Sequence, residues 1–190
     1  MNRLSKALIA ILSIGLLLVI LAGCNSSSST STTPADTTVV LTVTNGTKSK
    51  TLTMTDLKAM TAISGYTGTK NKKGEISGPK PYKGVSLTTV LSSVGGLPSG
   101  ASVKFTAADE YAKTLTYDQI SSGKFTTYDT SGTAADPEKQ PVVFVAYEID
   151  GAALDAATGP VQLAVMTCEQ QVTDGSNFVK QLIKIDVVTQ

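Results

Sequence analysis

From Val39 onward, apolar residues come in short runs that alternate with polar ones, and the runs are separated by glycine, proline and Asn-Gly steps. Alternation at every second position is the signature of strands with one buried face, so this pattern leaves little room for long helices. Val39-Val40-Leu41-Thr42-Val43 reads as an opening strand, Asn45-Gly46 as its turn, and Lys50 to Met54 as the returning strand. Thr55 is placed to cap a short helix over Asp56 to Met60. Thr61 to Lys83 reads as a long loop or irregular hairpin, with Lys70-Asn71-Lys72-Lys73-Gly74 as a solvated tip.

Val85, Leu87, Val90, Leu91 and Val94 have helical spacing, with Ser86 as cap and Gly95-Gly96 as stop. Ser102 to Thr106 and Ala112 to Thr116 read as a strand pair around the turn Ala107-Ala108-Asp109-Glu110, and Tyr117 to Ser122 as one or two helical turns. Thr126 to Gln140 is a polar loop. Pro141 to Ile149 is the most apolar strand and is expected at the centre, turning at Asp150-Gly151. Val161 to Met166 is another buried strand, Thr173 to Asn177 a loop, and Phe178 to Val188 the closing strand. The fold class is therefore α+β, mixed and strand-rich, with short interspersed helices.

The first residues follow a different rule. A basic start, Asn2 to Lys6, leads into an apolar run from Ala7 to Ile20, and Leu21-Ala22-Gly23 places small residues directly before Cys24. The run has the length of a signal-peptide core and is short for a spanning helix, which needs about 20 residues. Leu-Ala-Gly-Cys resembles the bacterial lipobox. That resemblance implies cleavage after residue 23, lipid on Cys24 and attachment to the extracytoplasmic side of a membrane in the cell envelope. The alternative is an uncut transmembrane anchor. Asn25 to Thr38 is mostly Ser and Thr, too polar to offset chain entropy, and reads as a tether. Residues 1–23, 24–38 and 39–190 are thus expected to be signal peptide, lipidated tether and one domain of about 150 residues with a real core.

Composition removes several chemistries. The chain has no histidine, so Ser-His-Asp and Cys-His catalysis are excluded, as are imidazole metal ligands. A formal net charge of +1 without a basic face gives no case for nucleic-acid binding. With Cys24 used for lipid, Cys168 is the one remaining thiol. An intramolecular disulfide is then impossible, and Cys168 is either a small buried hydrophobe or a free thiol. Its neighbours Ala164-Val165-Met166 favour packing. Tyr66, Tyr82 and Tyr128 are placed to line a cleft framed by the two long loops.

Several segments, in one order, resemble the sulfite-oxidase-type molybdopterin-binding domain. Tyr82-Lys83-Gly84-Val85-Ser86-Leu87-Thr88-Thr89-Val90-Leu91 is similar to its W/Y-x-G-V-P-L-x-x-L-L segment, and Val103 to Tyr111 to its V-x-F-x-S-A-D-G-Y strand and turn. Val145 to Gly151 resembles L-A-Y-x-M-N-G, Gly159 to Val165 resembles G-P-L-R-L-V-V, and Gly175 to Val187 follows the closing G-x-K-S-x-K-W-L-x-R-I-E-V. The resemblance implies molybdopterin as cofactor, with molybdenum held by a cysteine within the stretch corresponding to Thr61–Lys83. This chain has none there. Toward an anionic cofactor it implies Asp109, Tyr111 and Lys180 as contacts. Asn177 and Phe178 replace the family's lysine and serine, Gln162 stands where many members carry arginine, and Glu110 replaces a turn glycine. The expectation is a retained scaffold without catalytic or metal-ligating residues and without a bound cofactor. It would serve as a module for a small ligand or an envelope protein. The alternative is a molybdopterin-dependent oxidoreductase with atypical metal ligation.

Overall fold

The computed structural model describes residues 37–189. The predicted signal peptide, Cys24 and nearly all of the tether lie outside the described residues. Among those described, no helix is long and apolar enough to cross a membrane.

Two sheets pack around one core. The first holds β1 (Val39–Asn45), β2 (Lys48–Thr53), β5 (Ser102–Ala107), β6 (Ala112–Leu115) and β13 (Leu182–Val188), in the order β2-β1-β13-β5-β6. Its inner face carries Leu41, Val43, Leu52, Val103, Phe105, Ile185 and Val187, all buried, as their alternation requires. Here β1 and β13 run parallel, with Thr44 opposite Asp186 and their side chains hydrogen-bonded at 2.5 Å. The other neighbours in this sheet are antiparallel.

The second sheet is built around β3 (Ala62–Lys70), β4 (Ile76–Ser86) and β9 (Val142–Ile149). Outside β3 lie β12 (Gln171–Asp174), β7 (Thr127–Asp129) and β8 (Ala134–Ala135). Beside β9 lie β11 (Gln162–Met166) and β10 (Ala152–Ala153). Strand β9 is paired on both edges, as its apolar run predicts, and Phe144, Val145 and Ala146 have no solvent exposure.

Among the described residues, three α-helices of six residues each, α1 (Met54–Ala59), α2 (Leu87–Ser92) and α3 (Tyr117–Ser122), fill the gaps. The expected cap for α1 is corrected: the Thr53 side chain, two residues before Thr55, accepts from Asp56 N, and Asp56 Oδ2 accepts from Thr53 N at 2.8 Å. Both threonines precede an acidic residue, but only Thr53 has one at the three-residue spacing that a capping box needs. Ser86 caps α2 as expected, whereas Val85 belongs to β4. Gly123 ends α3 in the left-handed region, φ 57°.

The hairpin alternative holds for the first long segment, and two loop expectations are revised. Thr61–Lys83 is almost wholly the β3–β4 hairpin, whose tip is held by Asn71 Oδ1 accepting from Lys73 N at 2.9 Å and Glu75 N at 3.0 Å. Thr126–Gln140 contains β7 and β8, and Thr173 lies in β12 rather than in a loop. The closing strand begins at Leu182, not Phe178. Before it, Val179 exchanges two backbone hydrogen bonds with Leu163, at 2.8 and 3.2 Å. These polar segments form strands because the alternating threonines are β-branched and a neighbouring strand edge was open to them.

Candidate functional site

Between β12 and β13 the chain makes a single 3-10 turn, Gly175–Asn177, then runs extended through Phe178 to Lys180. Leu163 pins this run through Val179, and Gln181 N donates to Thr158 O at 2.9 Å. The pinning holds Gly175, Phe178 and Lys180 as a ridge between two cavities.

One cavity, about 290 Å³, is lined by Ala107, Asp109 and Tyr111 together with that ridge. All three cofactor-contact candidates, Asp109, Tyr111 and Lys180, therefore meet at one place. Asp109 also closes the β5–β6 turn, where its Oδ1 accepts from Tyr111 N at 3.0 Å. Glu110 occupies the left-handed region, φ 67°, which favours glycine. Tyr111 is 47 % exposed.

The second cavity, also about 290 Å³, lies across the ridge against the β3–β4 hairpin. Tyr82, Gln162, Lys80 and Thr158 line it, along with Thr67, Thr69 and Ser77. Gln162 is only 2 % exposed. Tyr82 is half-buried; burial pushes its phenol above the ordinary range, and a hydrogen bond with the Gln162 side chain pulls the other way. Lys80 is held by Asp150 at 3.0 Å. No carboxylate lies within ion-pair distance of Lys180 among the described residues, and Asp155 feels its charge only at longer range. Asp155 itself is turned inward to its own loop, where Thr158 Oγ1 donates at 2.6 Å and holds the carboxyl below its usual range.

The cleft expected between the two long loops is also present, as an open depression of about 580 Å³ elsewhere on β3. Ser64, Gly65 and Tyr66 line it from the hairpin, Glu138 and Lys139 from the second loop, and Met166 to Gln170 from the end of β11. The expected packing of Cys168 is corrected here. Strand β11 stops at Met166, the chain turns with Gln171 N donating to Cys168 O at 3.3 Å, and the thiol is left half-buried. Cys168 Sγ lies 3.4 Å from Glu138 Oε2, and burial together with that carboxylate pushes the thiol above its ordinary range. Among the described residues, no three His, Cys, Asp or Glu side chains are grouped to hold a metal.

The three tyrosines separate. Tyr82 lines the second cavity and Tyr66 the open depression. Tyr128 donates to Asp174 Oδ1 at 3.1 Å beneath Lys70, whose ammonium lies 4.1 Å from the ring centre. Thr67, Thr69, Ser77, Lys80 and Thr158 had no sequence signal as site residues, since hydroxyls and lysines on a hairpin resemble any solvated surface.

A family model for the oxidoreductase molybdopterin binding domain matches residues 30–190. Among solved structures, the crystal structure of the sulfane dehydrogenase SoxCD from Paracoccus pantotrophus is similar in fold, with a TM-score of 0.55 and 16 % identity. The similarity covers 79 % of this chain and 38 % of the SoxCD chain. No curated protein matches the sequence.

Proposed function

Since the chain belongs to the oxidoreductase molybdopterin-binding domain family, we propose that it is a lipid-anchored, extracytoplasmic member that uses this fold to bind a ligand and holds no molybdenum through a protein thiolate. The anchor reading rests on the three-part segment ending at Cys24. Two or more acyl chains hold a protein stably at a membrane, since each buried methylene contributes about 0.8 kcal/mol.

The observation that carries the binding reading is the separation of charge and thiol. The family resemblance implies a deprotonated cysteine thiol at the metal and cationic donors at the cofactor's phosphate. The lysines Lys80 and Lys180 line a cavity without cysteine, while Cys168 lies in a depression that shares no lining residue with it. In that depression burial and the Glu138 carboxylate disfavour a thiolate at Cys168. The residues present do not fit a thiolate-held molybdenum cofactor.

One observation favours the second reading, an oxidoreductase with atypical ligation. Cys168 lines the same depression as Ser64 to Tyr66, the hairpin stretch in which the family's cysteine is expected. Elemental analysis of the chain, produced in a host that makes the cofactor, separates the two. Less than about a tenth of a molybdenum per chain is expected, unchanged by Cys168→Ser. Stoichiometric metal lost in that variant would establish the oxidoreductase reading instead. In the same preparation, the wild-type chain should fractionate with membranes and Cys24→Ser should not fractionate as a lipidated species. Lipid on the Cys24→Ser chain would overturn the anchor assignment.

A further inference from the structure

We infer that the cavity between Tyr82, Gln162 and Lys180 binds a small single-ring organic anion, with its negative group at Lys180 and its ring against the aromatic walls. This deepens the binding reading above and rests on it. Size sets the first bound. At about 290 Å³ the cavity lies at the lower end of small-molecule sites, roughly 300–1,000 Å³, and has room for one ring bearing a carboxylate.

Charge sets the second. Two lysines line the cavity, but Asp150 neutralises Lys80 at 3.0 Å. Of these two, Lys180 is the one with no carboxylate of the described residues at contact distance. Because Val179 is hydrogen-bonded to Leu163 at both its N–H and its C=O, the backbone that carries Lys180 is fixed, which lowers the entropy lost when its ammonium meets an anion.

The walls set the third. Tyr82 and Phe178 are half-buried and line the same space. Phe144 braces Tyr82 edge-on, with ring centres 6.5 Å apart and planes at 86°. Aromatic faces held in this way favour a planar partner. Gln162, a lining residue 2 % exposed, carries a side-chain amide that can both donate to and accept from a polar ring edge. A neutral amide where an arginine would add fixed positive charge selects for a ligand with one anionic group rather than several.

The test uses the full-length chain in detergent micelles and three probes: nicotinate, a ring with a carboxylate; nicotinamide, the same ring without charge; and inorganic phosphate, charge without a ring. Calorimetric titration is expected to give saturable nicotinate binding with a dissociation constant of about 1 mM or tighter. Nicotinamide and phosphate should each bind at least about tenfold more weakly. Lys180→Gln should weaken nicotinate by about tenfold or more. The control Lys184→Gln, on the outer face of the other sheet, should leave it unchanged. Equal binding of nicotinamide overturns the role of charge, equal binding of phosphate overturns the role of the ring, and no saturable nicotinate binding overturns the ligand class. Molybdenum is measured on the same sample. Stoichiometric metal removes the underlying reading whatever nicotinate does, whereas metal-free protein that ignores nicotinate removes only this inference.

Discussion

Gly84→Ala is expected to abolish cooperative folding or to cost about 3 kcal/mol or more. The reason is space, not backbone freedom. A methyl built on Gly84 would sit 2.1 Å from Val145 O and 2.8 Å from Ala146 Cα. Both are main-chain atoms of β9, and main chain cannot rotate aside as a flexible side chain can. Strands β4 and β9 pair here with a register shift between Lys83 and Gly84, and the β9 backbone lies too close to Gly84 to admit a side chain. Relief would require the two central strands to part. A typical domain has only about 5–15 kcal/mol in total, so the loss is a large share of it. Soluble yield and the urea midpoint report the result, and a midpoint within error of wild type would overturn the packing argument.

The second large effect is at Phe144. Its ring has no solvent exposure and forms the centre of a small cluster with Ala146 and Ala164, against which Ile63, Tyr82, Met166 and Phe178 pack. Truncation to alanine removes the buried ring and leaves a cavity between small residues that cannot collapse into it. Such changes cost about 3–5 kcal/mol. Phe144→Leu keeps most of the volume and should cost less than about 2 kcal/mol. Because Tyr82 and Phe178 rest on this ring's cluster, nicotinate affinity should fall further in Phe144→Ala than in Phe144→Leu when both are measured folded, below the denaturation midpoint. An unchanged midpoint with unchanged slope in urea for Phe144→Ala would show that the ring does not bear on stability.

Both positions have a sequence signal, but of different strength. Phe144 lies within the apolar run from Pro141 to Ile149, so its burial can be read directly from the chain. Gly84 falls at the junction of a Lys- and Pro-rich stretch with a helical pattern, and nothing local shows that Val145 O will lie against it. The same contrast runs through the candidate site. Asp109, Tyr111 and Lys180 follow from motif order, and the structure gathers them around one cavity. Tyr82 and Gln162 are visible in the sequence only as a cleft tyrosine and an arginine replacement. That they line one cavity follows from the adjacency of β4, β9 and β11, which no spacing along the chain encodes. Cys168 departs from its expected packing for a related reason. Apolar neighbours predict packing only while the strand continues, and β11 ends two residues earlier.

By itself, the sequence settled the apolar strands, the short capped helices, the strand-rich class and the chemistry that lack of histidine excludes, because alternation, capping residues and composition are local properties. The polar strands β7, β8 and β12 carried no such local signal. Only the tertiary structure decided which strands are neighbours, including the parallel pairing of β1 with β13, and which side of the Gly175–Lys180 ridge each polar group faces. Strand pairing is set by burial summed over residues far apart in the chain, and a slip of one residue would exchange the buried and exposed faces. That is why Lys180 could be named from its motif, while its place opposite Tyr82 and Gln162, and away from Cys168, could not.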